Sequence, residues 1–524
     1  MSETKEERTS LINPATGENA GYIRQDSIDV LDKAVKKAKI AQGDWAKKPF
    51  NERAIHILAI RDFVAAEADR IVGVIATSTG KTRVDALIAE VIPAAMSAGY
   101  YAKKAELFLR KERLRPGNLL FANKISWLER VPWGVIGIIS PWNYPFAIPF
   151  HEVVMALMAG NAVVLKVATQ SQEVGEIIVE VMNAGQLPDG LFNLVNLPGH
   201  VAGDAFIGSG INKLFFTGSV AVGKDLMAKA AVKLLPLSLE LGGNDAMIVC
   251  NDADLQRAAG GALWAGFSNC GQSCGGVEHV FVEKRVYAAF TALLREKTAE
   301  LRQGYDQDFN VDIGALGNRE QLEKVKAYVH DALEKGAKIT SVSRQKEPIT
   351  SGFFHPAMIL EDVNDSMMVM QEEIFGPILA VRQVEDIEEA ICRANDSHLG
   401  LTASVWTTNH EKGRGIASRL QAGTVMINDH LMSHGLPQTP WGGFKESGIG
   451  RTHGRLGLEE MTQPRVIIDD IMPRVKKNMW WYPHGKEVYE GLKGVLNFLY
   501  APNTALRLQG MTKMLKLFAR TFKR

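Results

Sequence analysis

Cys274 stands in Ser268-Asn269-Cys270-Gly271-Gln272-Ser273-Cys274-Gly275-Gly276, where flanking glycines leave a thiol accessible and let backbone approach a reacting atom. Such a thiol becomes a nucleophile when a nearby base or positive setting draws off its proton. Glu240 is a candidate base, because it closes the apolar stretch 234–239 and enters the glycine turn Leu241-Gly242-Gly243-Asn244. Apolar neighbours raise a carboxyl pKa toward the range useful for taking protons near neutrality. Asn143 sits in Pro141-Trp142-Asn143-Tyr144-Pro145, a loop stiffened by two prolines, from which an amide could donate to an oxyanion. Read singly, each of the three also has a plainer role: a small buried hydrophobe, a solvated carboxylate and a helix cap.

The segments around them must bring these residues together. From Ser27 to about Leu107 apolar side chains recur every three or four residues, as in Ala34, Ala38, Ala41 and Trp45, or Ile55, Leu58, Ala59 and Phe63, which predicts amphipathic helices. Residues 124–139 alternate loosely and then run apolar into a Ser-Pro turn, a strand or hairpin feeding a buried strand. Short apolar runs at 162–165, 213–216 and 246–249 each precede a loop and a helical segment, and a second cycle runs from 280–282 onward to 402–405. Strands alternating with helices predict an α/β chain with two parallel-sheet domains, joined near 241–275.

Taken together, these elements resemble the aldehyde dehydrogenase superfamily from about Leu11 to Asp470. Glu240 and Cys274 lie 34 residues apart, the family's usual interval. Five further motifs follow the family's order: Asn161-Ala162-Val163-Val164-Leu165-Lys166, Phe216-Thr217-Gly218-Ser219 through Gly223, Glu373-Ile374-Phe375-Gly376-Pro377, Asn428-Asp429, and Gly442-Gly443-Phe444-Lys445-Glu446-Ser447-Gly448. The resemblance implies that Cys274 attacks an aldehyde, that Asn143 and the Cys274 N–H hold the oxyanion, and that Glu240 activates the water that hydrolyses the thioester. It implies NAD or NADP over the first sheet, bound by Trp142, Lys166, Thr169, Gly218, Ser219, Gly223, Glu373 and Phe375. The glycines at 218 and 223 are not the GxGxxG fingerprint of ordinary dinucleotide-binding proteins.

The same resemblance implies a domain plan. Residues 1–111 and 134–241 form the dinucleotide-binding domain and 242–458 the catalytic domain. Segments 112–133 and 459–471 build a small oligomerisation hairpin for a homodimer or homotetramer, and 472–524 is a basic amphipathic tail.

Several positions depart from the pattern. Thr169 replaces the glutamate with which NAD-preferring relatives bind both ribose hydroxyls, which removes repulsion against a 2′-phosphate. Ser268 and His279 stand where relatives acting on succinate semialdehyde often carry arginines, so a carboxylate grip is missing. Tyr144 and Trp441 are expected as aromatic walls of a pocket for an apolar aldehyde, aliphatic and of medium or long chain; succinate semialdehyde is the alternative. His430 and His434 are spaced as metal ligands on a helix could be, but Gly435 and Pro437 argue for a substrate loop, and no metal is assigned. Arg451-Thr452-His453-Gly454 resembles a turn of the fatty-aldehyde and some succinate-semialdehyde branches. Transfer of the acyl group to coenzyme A is disfavoured by Glu240, and a non-catalytic binding or structural role by the intact Cys274, Glu240 and Asn143.

Composition agrees with an enzyme of this kind. Apolar residues at 46% and charged residues at 23% describe an ordinary globular chain, and 524 residues exceed one core. A net charge of +1 gives no reason to expect nucleic acid. Four cysteines without a CxxC pair predict a reducing compartment, and a polar N-terminus without a signal sequence predicts a cytoplasmic location. The charge is uneven, because residues 474–524 carry eleven basic against two acidic side chains. Leu506, Leu508, Met511, Met514, Leu515, Phe518 and Phe522 fall mainly on one helical face there, a pattern that suits either the inner surface of a membrane or a packed helix.

Overall fold

The computed structural model describes residues 8–345, 350–472, 475 and 477–522. Chain contacts divide it into one unit of residues 1–109 and 131–463 and a second of 110–130 and 464–524. The first unit holds two mostly parallel sheets, and it contains all the residues argued above to do chemistry.

In the six-stranded sheet the order is Gly448–Ile449, Leu237–Glu240, Lys213–Thr217, Val135–Ile139, Ala162–Lys166 and Phe192–Leu194. Every pairing is parallel except that of the first strand, where Gly448 faces Glu240 and Ile449 faces Leu239. Val135–Ile139 and Ala162–Lys166 are buried at every residue, because helices cover both faces and leave no side of the sheet for water. The chain runs outward from Val135–Ile139 on one side and later returns to its other side. This puts the topological switch point, where open α/β sheets bind ligands, at the end of Val135–Ile139, directly before Trp142 and Asn143.

The seven-stranded sheet is ordered Lys338–Val342, Met358–Glu361, Ile378–Val384, Val277–Glu283, Asp245–Val249, Thr402–Trp406 and Thr424–Ile427, antiparallel only at Lys338–Val342. The four residues Leu241 to Asn244 connect the end of Leu237–Glu240 to the start of Asp245–Val249. The two sheets therefore meet within one short turn, the turn that carries Glu240.

Periodicity located the helices but misjudged one face. In Phe50–Ala66 the buried apolar residues are Ala54, Ile57, Ile60 and Val64, whereas Ile55 is 67% exposed. Apolar residues point in nearly every direction around this helix, so its own pattern does not choose a face. Packing against Ile92–Leu109 makes that choice. In Ile28–Trp45 the fully buried stripe is Leu31, Val35, Ala38 and Trp45, with Ala34 and Ala41 only half-buried, and the Trp45 indole donates to Leu157 O at 2.8 Å.

The second unit has a three-stranded sheet, ordered Thr462–Asp470, Lys124–Pro132 and Glu112–Leu114. The apolar face expected over 506–522 lies in one helix, Thr504–Phe522, and a second helix, Lys486–Tyr500, packs against it. Glycines permit their close approach: a Cβ on Gly510 would lie 2.5 Å from Gly494 O. Leu517 is buried and packs with Met479 and Val488, while Leu508, Leu515 and Phe518 stay exposed. The Phe522 side chain and Arg474, Lys476, Lys523 and Arg524 lie outside the described residues.

Candidate active site

Cys274 owes its position to an unusual turn. After helix Leu255–Phe267, Asn269 (φ 52°), Cys270 (φ 56°) and Gly271 (φ 71°) are successively left-handed. For residues other than glycine such strain costs of order 1–3 kcal/mol each and persists only when the surroundings enforce it. Here they do. Asn269 Nδ2 donates to Asn143 O and Gln272 O, both at 3.0 Å, Gln272 Nε2 donates back to Asn269 O at 2.9 Å, and Gly317 N donates to Gln272 Oε1 at 2.7 Å. Gly271 could carry no side chain, because its Cβ would lie 2.2 Å from Gly376 O. The turn buries Cys270 at 1% exposure and leaves Cys274 lining open space.

That space has three parts, and Cys274 lines each. An apolar pocket is walled by Ile88, Pro93, Tyr144, Ile148, Trp264, Leu431, Met432 and Trp441, with Ser268, Ser273 and His434 among its few polar groups. A more polar cleft is lined by Trp142, Asn143, Gly218, Ser219, Gln321, Lys324, Glu373 and Phe375. A small chamber holds Glu240 and Glu152 together with Thr452, His434 and His453. Tyr144 and Trp441 thus stand where the sequence placed them, on the apolar wall.

The electrostatics leave the resting thiol protonated. Burial pushes the Cys274 pKa up, and the Glu373, Asp245 and Glu240 carboxylates push it further. Glu240 is itself buried and raised well above the usual carboxylate range, by desolvation first and by Glu152 second, with Arg451 opposing. Neither Glu240 oxygen has a hydrogen-bond partner among the described residues. A carboxyl so raised is a competent proton acceptor near neutral pH, whereas an ordinary one is too weak a base.

Asn143 is fixed from both ends. Its amide nitrogen donates one hydrogen to Gln272 O at 3.1 Å, and its carbonyl accepts from Lys81 Nζ at 2.7 Å as well as from Asn269. An amide nitrogen has two hydrogens, so a second donor remains for a ligand. Lys81 also pairs with Glu90 Oε1 at 2.5 Å, and Glu90 Oε2 accepts from Phe146 N at 2.7 Å and Ala147 N at 3.2 Å. The Lys81 ammonium lies over the Tyr144 ring, 4.4 Å from its centre. Sequence reasoning missed Lys81 and Glu90. A lysine directly after Gly80 and a glutamate among apolar residues were the available signals, but neither carries meaning until the chain folds onto the Asn143 loop.

The cleft suits a dinucleotide. Ser219 caps helix Val220–Ala231, its hydroxyl accepting from Val222 N at 3.4 Å, and a helix start of this kind presents free N–H groups to phosphate. A Cβ on Gly218 would lie 2.5 Å from the Phe216 ring, so this turn stays narrow and bare. Glu373 accepts from Gly243 N at 3.0 Å, and Glu278 clamps the following loop by accepting from Ile374 N and Phe375 N at 2.9 and 2.8 Å. Phe375 meets Trp142 edge-on, with ring centres 5.6 Å apart.

The remaining expected cofactor residues lie apart from Cys274. Lys166 ends its strand, largely buried, and desolvation lowers its pKa to about 8. Thr169 opens the one-turn helix Thr169–Ser171 that follows. Gly223 serves packing, since a Cβ there would lie 2.6 Å from Leu241 Cδ2.

The histidines are distributed differently from their sequence spacing. His430 Nε2 lies 3.0 Å from Gly275 O and 3.1 Å from Thr402 Oγ1, so it braces the loop after the nucleophile. His434 instead turns toward His151 and His453, and its ring meets Trp441 edge-on at 5.2 Å. His279 is buried and its Nε2 bonds to Val369 O at 2.8 Å, away from these cavities.

Two α/β sheets joined at a buried carboxylate, a polar cleft at a helix start and a thiol shared with an apolar pocket are the features of a dinucleotide-linked oxidoreductase. Comparison with known proteins supplies the family. The model of the aldehyde dehydrogenase family matches residues 1–467, and the chain belongs to that family. It is 35% identical over 498 residues to 4,4'-diapolycopene aldehyde oxidase of a Methylomonas species, covering 95% of this chain and 92% of that protein. It is 37% identical over 453 residues to a proposed NADP(+) succinate-semialdehyde dehydrogenase of Mycolicibacterium smegmatis, covering 86% and 87%. Among solved structures, aldehyde dehydrogenase of Bacillus cereus in its NAD+ complex superimposes with a TM-score of 0.84 at 31% identity, over 89% of this chain and 94% of that one. The fold is the aldehyde dehydrogenase fold, and the protein is an NAD(P)-dependent oxidoreductase acting on an aldehyde.

Proposed function

We propose that this enzyme oxidises a long, apolar aldehyde to its carboxylate, with Cys274 as nucleophile, Glu240 as base and Asn143 as oxyanion donor. The observation that carries this reading is that the apolar pocket and the Glu240 chamber converge on one sulfur. Glu240 takes the thiol proton, and the sulfur adds to the carbonyl carbon. The free hydrogen of the Asn143 amide and the Cys274 backbone N–H meet the developing oxyanion, each such donor being worth about 3 kcal/mol in a water-poor site. Trp142, Gly218, Ser219, Glu373 and Phe375 would hold NAD or NADP in the cleft, with Lys166 and Thr169 toward its adenosine end. Bound there, the cofactor supplies the hydride acceptor. Glu240, having passed the thiol proton on to solvent, then takes a proton from the water that cleaves the thioester, and the Cys274 sulfur leaves as the thiolate.

Two features support an apolar substrate over succinate semialdehyde. No arginine or lysine lines the apolar pocket among the described residues, so the carboxylate of succinate semialdehyde would lose its hydration unrepaid. Ser268 is also committed elsewhere, since its hydroxyl donates to the buried Asp85 at 3.0 Å. Initial rates with aldehydes of graded length test this directly. We expect kcat/KM to climb from butanal to decanal and to be at least about tenfold lower for succinate semialdehyde, the effect of under 2 kcal/mol; the reverse order would refute it.

The second unit supports delivery of such a substrate from lipid by a peripheral contact at the inner membrane face. Trp481, Tyr482, Leu508, Leu515 and Phe518 are exposed beside Lys486, Lys493, Lys513 and Lys516, a mixture suited to an anionic membrane surface. No helix among the described residues is long and apolar enough to cross a membrane. The match to diapolycopene aldehyde oxidase spans 95% of the chain and so reaches into this tail. Edge strand Thr462–Asp470 exposes Val466, Ile467 and Ile468, and a second copy pairing there would form the homodimer, or a homotetramer by repetition.

A further inference from the structure

Three histidines distant in sequence meet beside the Glu240 chamber. His151 lies in helix Ala147–Ala159, His434 in the short turn Met432–Gly435, and His453 directly before helix Gly454–Glu460. One ring nitrogen of each lies within 4.8 Å of the other two. We propose that His151, His434 and His453 form a binding site for a first-row divalent cation, with zinc as its best-fitting member.

Four observations support the site. The backbone of His453 is held at φ 60°, ψ 163°, a region that only glycine enters readily, so the surrounding structure enforces a strained conformation that points this ring at His151. Its far nitrogen Nδ1 lies 3.1 Å from Thr452 Oγ1. With the Nδ1 hydrogen given to that hydroxyl, the Nε2 lone pair faces the cluster, which is how outer partners usually orient metal-binding imidazoles. The His151 ring is fixed by packing, in a helix whose every residue is buried. Finally, among the described residues, Glu152 Oε2 and both oxygens of Glu240 lack hydrogen-bond partners in the same chamber that His434 and His453 line. Unpaired buried carboxylates are costly, and a nearby divalent charge would offset them.

Three imidazoles match the ligand number of zinc sites that keep a fourth position open. That position would fall to a water or to a chamber carboxylate. One adjustment is needed: His151 Nδ1 and His453 Nε2 are 2.5 Å apart, whereas two ligands of a tetrahedral ion lie roughly 3.3 Å apart. The rings must separate by under about 1 Å, and the hydrogen between them must pass from His151 Nδ1 to its Nε2, the tautomer that leaves Nδ1 free to ligate.

The test uses the full chain, stripped with a chelator, dialysed and titrated with zinc chloride against a chromophoric chelator. We expect one equivalent bound with an apparent Kd below about 1 μM at pH 7.5. His434→Gln, on a half-buried loop, should weaken binding at least about 100-fold while its melting curve stays close to that of the parent. Cys274→Ser should leave binding unchanged, which separates the histidine site from capture by the thiol. The proposal is overturned if the parent binds no stoichiometric zinc, or if Cys274→Ser abolishes binding while His434→Gln does not. Because metal is counted directly, failure here would leave the aldehyde reading untouched.

Discussion

Lys81 and Glu90 form an ion pair of 2.5 Å with both side chains wholly out of water, and the same ammonium holds the carbonyl of Asn143 at 2.7 Å. A buried pair adds little net stability against apolar residues, but removing one partner strands the other. Lys81→Met should therefore lower stability by about 3–5 kcal/mol, read from the urea midpoint, and should also lower kcat by loosening the Asn143 loop. The double variant Lys81→Met, Glu90→Gln should recover much of the stability but not the rate. Full recovery of both would mean that the pair does not position Asn143.

Removing the base should slow both halves of the reaction, the hydrolytic half most. Glu240→Gln is expected to release at most about one equivalent of reduced cofactor per site in the first turnover and then to stall, losing 100-fold or more in kcat. Cys274→Ser should show no burst at all. In the parent, the raised Glu240 pKa means that the base ionises only above the ordinary carboxylate range, so the hydrolytic rate should still be climbing at pH values where an ordinary carboxylate is fully ionised. Equal steady-state rates for parent and Glu240→Gln would remove Glu240 from the mechanism.

Glu152 makes a signed prediction about stability. Burial raises its carboxyl from about 4.5 to about 8 in the folded state, so between those pH values the native chain holds a proton that the unfolded chain has lost. Native stability contributed by this group is present below the unfolded pKa and declines as pH rises toward 8. Glu152→Gln should thus melt at a higher temperature than the parent at pH 8.5 and close to it at pH 5. A constant difference at both pH values would contradict this account.

Gly243 leaves room for the nucleophile loop, because a Cβ there would lie 2.1 Å from Cys274 O. Gly243→Ala must push the two segments apart, and a shift of about 1 Å at a reacting atom can cost about 100-fold in rate. Rates and single-turnover bursts should both fall. Activity within about twofold of the parent would show that the loop tolerates the shift.

Membrane contact can be tested without disturbing the helical hairpin, since Leu508 and Leu515 are exposed. The parent should sediment with anionic phospholipid vesicles, less so at high salt, and Leu508→Asp, Leu515→Asp should remain in the supernatant. Unchanged pelleting of the double variant would exclude anchoring through this face.

Much of this enzyme was legible as strings of residues. Buried parallel strands are continuous apolar runs, so 162–165, 213–216 and 246–249 were readable without neighbours, as was the α/β class they imply. Cys274, Glu240 and Asn143 stood out as candidates because glycines and prolines mark the sharp turns that reactive side chains need, and folding brings Cys274 and Glu240 to one chamber. The face of Phe50–Ala66 was not, because a helix apolar on most sides takes its orientation from its neighbours.

Folding decided which distant side chains share a space. Local spacing paired His430 with His434, yet one braces Gly275 and the other joins His151 and His453, from positions about 280 and 20 residues away. Lys81 gained its role from a loop some 60 residues later, and the tail became two helices because Gly494 and Gly510 let them touch. Periodicity reports how one segment divides water from core. It holds no record of partners that meet only when several segments have packed, and the charge balance of a buried site depends on those partners.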